Sequence, residues 1–105
     1  MLPGEGLVML LRHATPTRNL ESIRRTGLDP AKSRCARPEC WLHTPGQSPW
    51  AVLHVARRHT VPADGVTVLE WDIPRAWLTR RRGGVWTCGR VVPAERLRRT
   101  VTVVA

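Results

Sequence analysis

Apolar residues along the chain fall into short blocks separated by polar residues, proline or glycine. Leu7, Val8, Met9, Leu10 and Leu11 form one continuous run, too short to span a membrane. Its length and the turn signals beside it predict a strand. Arg12, His13, Ala14 and Thr15 then make a polar corner at the strand's exit. Thr15 followed by Pro16 predicts a helix start, because threonine accepts orphan N–H groups and proline fits the first helical position. Leu20, Ile23 and Leu28 supply the buried stripe of that helix, and Gly27 is expected to end it in a left-handed conformation. Residues 29–39 read as a polar loop carrying Lys32, Arg34 and Arg37.

Residues 40–44 predict a short strand stopped by Pro45 and Gly46. Ser48 and Pro49 repeat the cap-plus-proline pattern, so residues 50–59 predict a second helix. Val52, Val55 and Ala56 share one of its faces, with Leu53 and Trp50 flanking it, and His54 lies beside Arg58 one turn on. Residues 61–65 form a turn. Residues 66–73 alternate, with Leu69, Trp71 and Ile73 pointing one way. Residues 74–78 read as one helical turn and 79–84 as a basic hairpin or loop. Residues 85–92 predict a strand broken at Gly89, residues 93–97 a helical turn and 100–104 a last strand. No repeat or linker interrupts this order. It predicts one α+β domain over residues 1–105, with a small split, mixed sheet and two main short helices.

At 105 residues, 42% of them apolar, the chain can build one core. No basic leader with a cleavage site and no bilayer-length apolar stretch is visible, so the expected location is the cytoplasm. Seventeen basic residues face eight acidic ones, for a net charge of +9, and Lys32 is the one lysine. Arginine binds phosphate through a planar fork, so such a surface suits polyanions or a dinucleotide pyrophosphate. A GC-rich coding sequence also favours arginine, so the bias assigns no individual residue. The net field nonetheless favours nucleic acid as a partner. There are five tryptophans and no tyrosine or phenylalanine. Most are expected in the core, and one in a cleft would stack on a base or a nicotinamide ring.

Cys35, Cys40 and Cys88 have no disulfide-framework spacing, and an odd count without a leader reads as free thiols. Cys35, Cys40, His43 and Cys88 are together a conceivable zinc set. A strand over residues 40–44 would point Cys40 and His43 to opposite faces, which argues against it. No metal is expected.

Four motifs, over roughly residues 8–97, together resemble the catalytic lobe of RNA 2′-phosphotransferases, in the NAD-dependent ADP-ribosyltransferase superfamily. The first runs from His13 and Thr15 through Ser22-Ile23 to Gly27-Leu28. The second is the short strand Cys40-Trp41-Leu42-His43-Thr44. The third is the helix end Arg57-Arg58-His59 before the strand at residues 66–72. The fourth joins Gly84-Val85-Trp86-Thr87 to Val92-Pro93-Ala94-Glu95.

The resemblance implies NAD, as a substrate, in a cleft between two small sheets. His13 and Thr15 would hold the nicotinamide-side ribose and amide, and Trp41 or His43 would pack over the nicotinamide. Arg58 would engage phosphate. The implied catalytic set is His13, Arg58 and His43; Arg12, His13, Thr15, Trp41, His43 and Trp86 form the implied cofactor-binding set. The implied reaction expels nicotinamide and moves ADP-ribose to an acceptor such as an RNA phosphate. Departure of that leaving group creates an oxocarbenium-like carbon, so positioning and a fixed electrostatic frame matter more than a strong base.

The chain also departs from the pattern. The RNA enzymes carry an N-terminal lobe with an Arg-His pair used on RNA, and this chain is expected to begin at the catalytic lobe. Trp41 stands where His or Tyr is usual, and a shift of register puts His43 there instead. Toxin-like relatives need a late-strand glutamate, for which Glu95 is the nearby residue, at a position more in keeping with a structural role. A basic module that binds nucleic acid or a nucleotide without turnover is the competing expectation.

Overall fold

The computed structural model describes residues 7–32, 38–58 and 64–103. Its first strand runs much further than the apolar run that starts it: β1 covers Val8–Pro16. The reason is β3, Val66–Pro74, which pairs with it along its whole length, from Val8↔Pro74 to Pro16↔Val66. That ladder satisfies the backbone of Arg12 to Thr15, and Pro16 sits at the strand's end, where a missing donor is tolerated. His13 is therefore within a strand rather than at its exit.

The helix accordingly starts later than Thr15. A 3-10 turn, Thr17–Asn19, leads into α1, Leu20–Thr26. Thr15 does not cap it; its buried hydroxyl accepts from Asn19 Nδ2 at 3.0 Å. Gly27 ends α1 with φ 79° and ψ −171°. The positive φ is as expected, but the extended ψ swings the chain straight into a two-way backbone bridge between Leu28 and Val92, both bonds 2.9 Å.

The remaining elements are β2 (Cys40–His43), α2 (Ser48–Arg58), β4 (Leu78–Arg80), β5 (Val85–Cys88) and β6 (Leu97–Val103). Single 3-10 turns stand at Arg75–Trp77 and Ala94–Arg96, where helical turns were expected. The six strands form one sheet in the order β4-β5-β2-β1-β3-β6, with every pair antiparallel. The α+β class and the two short helices match expectation, whereas the strands form one continuous sheet that is neither split nor mixed. The connection from β1 to β2, residues 17–39, is long enough for either direction, and the register pair Arg12↔His43 sets it antiparallel.

β3 supplies the centre of the core. Leu69, Trp71 and Ile73 have no exposed surface. They cluster with Leu11 of β1, Leu42 of β2 and Trp86 and Cys88 of β5, so both halves of the sheet share one interior. Leu20 and Ile23 of α1 pack against that cluster. On the sheet's other face, α2 buries Ala51 and Val55. No helix among the described residues is long and apolar enough to cross a membrane.

Candidate functional site

The sheet is weakest at its middle. β1 and β2 meet at the single register pair Arg12↔His43. Beyond that pair the two strands part, and the His13 imidazole fills the place of a ladder bond. Its Nδ1 lies 2.8 Å from the Trp41 carbonyl oxygen. A carbonyl only accepts, so Nδ1 carries the proton and Nε2 of the neutral ring is left as an acceptor. Protein packed around the ring lowers its pKa by desolvation; the bond to Trp41 acts in the opposite direction and is outweighed.

A cleft of about 890 Å³ opens beside this parting of the strands. His13 and Thr15 of β1 line it, with Trp41 and His43 of β2 and Arg58 of α2. The indole of Trp41 is 43% exposed although it belongs to a short central strand. From α2, Trp50 stacks on His54 with ring centres 5.3 Å apart and planes at 16°. These two residues, one helical turn apart, also line the cleft.

Cations surround the opening. Arg18, Lys32 and Arg82 reach it as well as Arg58. Arg81 is there too, held by Glu39 at 2.6 Å, and Lys32 Nζ donates to Ser22 Oγ at 3.3 Å. Exposed aromatic faces and guanidinium groups around one cavity can stack a flat ring and fork a phosphate.

His43 is only 4% exposed. Its pKa is pushed down to about 4, first by burial, then by His13 and Arg12 nearby. It is therefore neutral near pH 7 and cannot serve there as a protonated acid.

Arg12 and Trp86 do not line the cleft. Successive residues of a strand face opposite ways, so Arg12 leaves β1 on the side away from His13. Its guanidinium is held by Glu70 at 3.1 Å and by Ser48 at 3.3 Å. Trp86 lies opposite Leu42, on the packed face, with the Arg75 guanidinium 4.8 Å over its ring. Ser48, which the sequence suggests as a helix cap, instead bonds Arg12 and lies 3.3 Å from His43 Nε2. Trp50 and Arg18 are cleft residues that no motif signals.

Of the conceivable zinc set, Cys35 lies outside the described residues. Cys40 and Cys88 face each other in register and both are buried free thiols. Burial pushes Cys40 up to about 12, with Cys88 and Asp29 adding to the effect. Among the described residues no three His, Cys, Asp or Glu side chains group as metal ligands.

No family model matches the chain, and no curated protein matches it.

Proposed function

We propose that the cleft binds NAD, expels nicotinamide and transfers ADP-ribose to an acceptor phosphate of the RNA 2′-phosphate class. The observation that carries this reading is the gathering of His13, Thr15, Trp41, His43 and Arg58 around one cavity of about 890 Å³. In this reading Trp41 stacks on the nicotinamide ring and His13 Nε2 accepts from a ribose hydroxyl. Arg58 forks the pyrophosphate. The acceptor oxygen bonds to the ribose carbon as the bond to nicotinamide breaks. The electron pair leaves with nicotinamide, whose ring nitrogen becomes neutral, so no proton must be supplied to it. That suits two histidines held neutral by their surroundings. Cys40 and Cys88, as free thiols, fit a cytoplasmic location.

A second reading is a basic module that binds nucleic acid or a nucleotide without turnover. It is favoured by guanidinium groups outside the cleft: those of Arg90 and Arg96 lie 3.8 and 5.0 Å from the centre of the Trp77 ring. One experiment separates the two. The protein is incubated with NAD and an RNA oligonucleotide bearing an internal 2′-phosphate, and melting temperature and nicotinamide release are followed. A raised melting temperature with nicotinamide release supports the transferase. A raised melting temperature without release supports the binding module. No shift at millimolar NAD rejects the NAD site.

A further inference from the structure

We propose that Glu70, Arg12 and Ser48 form a positioning chain that fixes which nitrogen of His43 carries the proton. His43 then meets a cleft ligand as a hydrogen-bond donor through Nδ1. The proposal rests on the cleft being a ligand site, and it brings Ser48 and Glu70 into that site as positioning residues.

The chain's direction follows from what each group can do. Arg12 Nε donates to Glu70 Oε2 at 3.1 Å, and Arg12 Nη1 donates to Ser48 Oγ at 3.3 Å. A guanidinium has no acceptor, so these two bonds run one way only. Ser48 Oγ also lies 3.3 Å from His43 Nε2. A hydroxyl that accepts from a cation is polarised and becomes the better donor. Its own proton therefore points to Nε2. With Nε2 accepting, the proton of the neutral ring sits on Nδ1.

Solvent does little to loosen this arrangement. The side chains of Arg12 and Glu70 are 24% and 15% exposed, and His43 is buried. Arg12 also disfavours a second proton on His43 by charge repulsion, in the same direction as burial and His13. The opposite arrangement holds at His13, whose Nδ1 is spent on Trp41. The cleft thus carries one imidazole that accepts and one that donates. The ligand group that suits His43 is an oxygen acceptor, a carbonyl or a phosphate oxygen.

The test reads the tautomer directly, on the full chain without ligand. Long-range proton–nitrogen correlation spectra of nitrogen-15-labelled protein report which ring nitrogen is protonated, and His43→Asn identifies the signals. The wild type is expected to show His43 protonated at Nδ1. Ser48→Ala should shift it toward the Nε2-protonated form or a mixture, and Ser48→Thr, which keeps the hydroxyl, should restore the wild-type pattern. Protonation at Nε2 in the wild type would overturn the proposal, as would a folded Ser48→Ala with an unchanged pattern. Should Ser48→Ala not fold, Arg12→Met takes its place. It keeps much of the side-chain bulk and removes both donors, so a mixture is expected and an unchanged pattern overturns the proposal. Because the tautomer is read without NAD, its failure leaves the NAD reading standing, and failure of NAD to bind leaves the tautomer result intact.

Discussion

Arg12 and His43 face each other across the one register pair that joins β1 to β2. This junction holds the two halves of the sheet together and lets them part on one side. The cleft exists because the ladder stops there, and the His13 side chain, bonded to Trp41, holds the gap at a fixed width.

The cleft side chains should separate binding from stability. Arg58 and Trp41 are both exposed, so neither contributes much to the core. Arg58→Lys is expected to weaken NAD binding by about tenfold or more, since a charge-assisted hydrogen bond is worth ~1.5–3 kcal/mol. Trp41→Ala should also weaken it, and both variants should melt close to the wild type. Calorimetric titration with NAD checks this; equal affinity of wild type and Arg58→Lys would remove Arg58 from phosphate binding.

Gly27 should tolerate no side chain. A Cβ there would run into the Val92 carbonyl oxygen, a backbone atom, and φ is already +79°. Gly27→Ala is expected to cost roughly 2 kcal/mol or more, from strain and from damage to the bridge between Leu28 and Val92. Urea unfolding of the two proteins measures it, and a loss within experimental error would show that the bridge yields easily.

Stability should fall with acid across a defined window. In the unfolded chain His43 takes up its proton near pH 6.5, and in the folded protein only near about 4. Between those values the unfolded state binds more protons, so stability is full above the window and declines as pH falls through it. The loss is about 3 kcal/mol once pH is below both values. The lowered pKa of His13 acts in the same direction. Denaturant unfolding across the window should show a steeper decline for the wild type than for His43→Asn; parallel curves would contradict the assignment to His43.

Buried thiols should be slow to react. With its pKa at about 12, Cys40 holds almost no thiolate at neutral pH, and Cys88 is also raised by burial. In a Cys35→Ser background, iodoacetamide should label the native protein far more slowly than the protein in urea. Rapid labelling without denaturant would mean that this part of the sheet opens readily.

The apolar pattern was enough to locate most elements, because each strand and helix carries its own turn residues. It failed where long-range pairing decides. β1 continues through His13 and Thr15 only because β3 lies alongside, and nothing local to residues 12–16 announces that. The tryptophans behave likewise. Trp41 and Trp86 both stand in short strands, yet the first is exposed and the second buried, because the register pairs Trp86 with Leu42 and so puts it on the face opposite to Trp41. The motif residues His13, Thr15, Trp41, His43 and Arg58 could be named from the sequence, but not the contacts around them. Ser48 looked like a cap because its partners, Arg12 and His43, come from two strands that meet only in the folded molecule.

The central position of β1 also governs how the chain can fold during synthesis. Arg12 leaves the ribosome 58 residues ahead of its partner Glu70. At about 5–20 residues per second, that is roughly 3–12 s with no β3 to pair with. Through that interval the apolar run from Leu7 to Leu11 is open to strands of other nascent chains. Arg12, next in line, puts a positive charge at the end of the run and so discourages such pairing before Glu70 arrives to neutralise it. The same distant pairings raise the contact order of the domain, which predicts folding in milliseconds to seconds rather than microseconds.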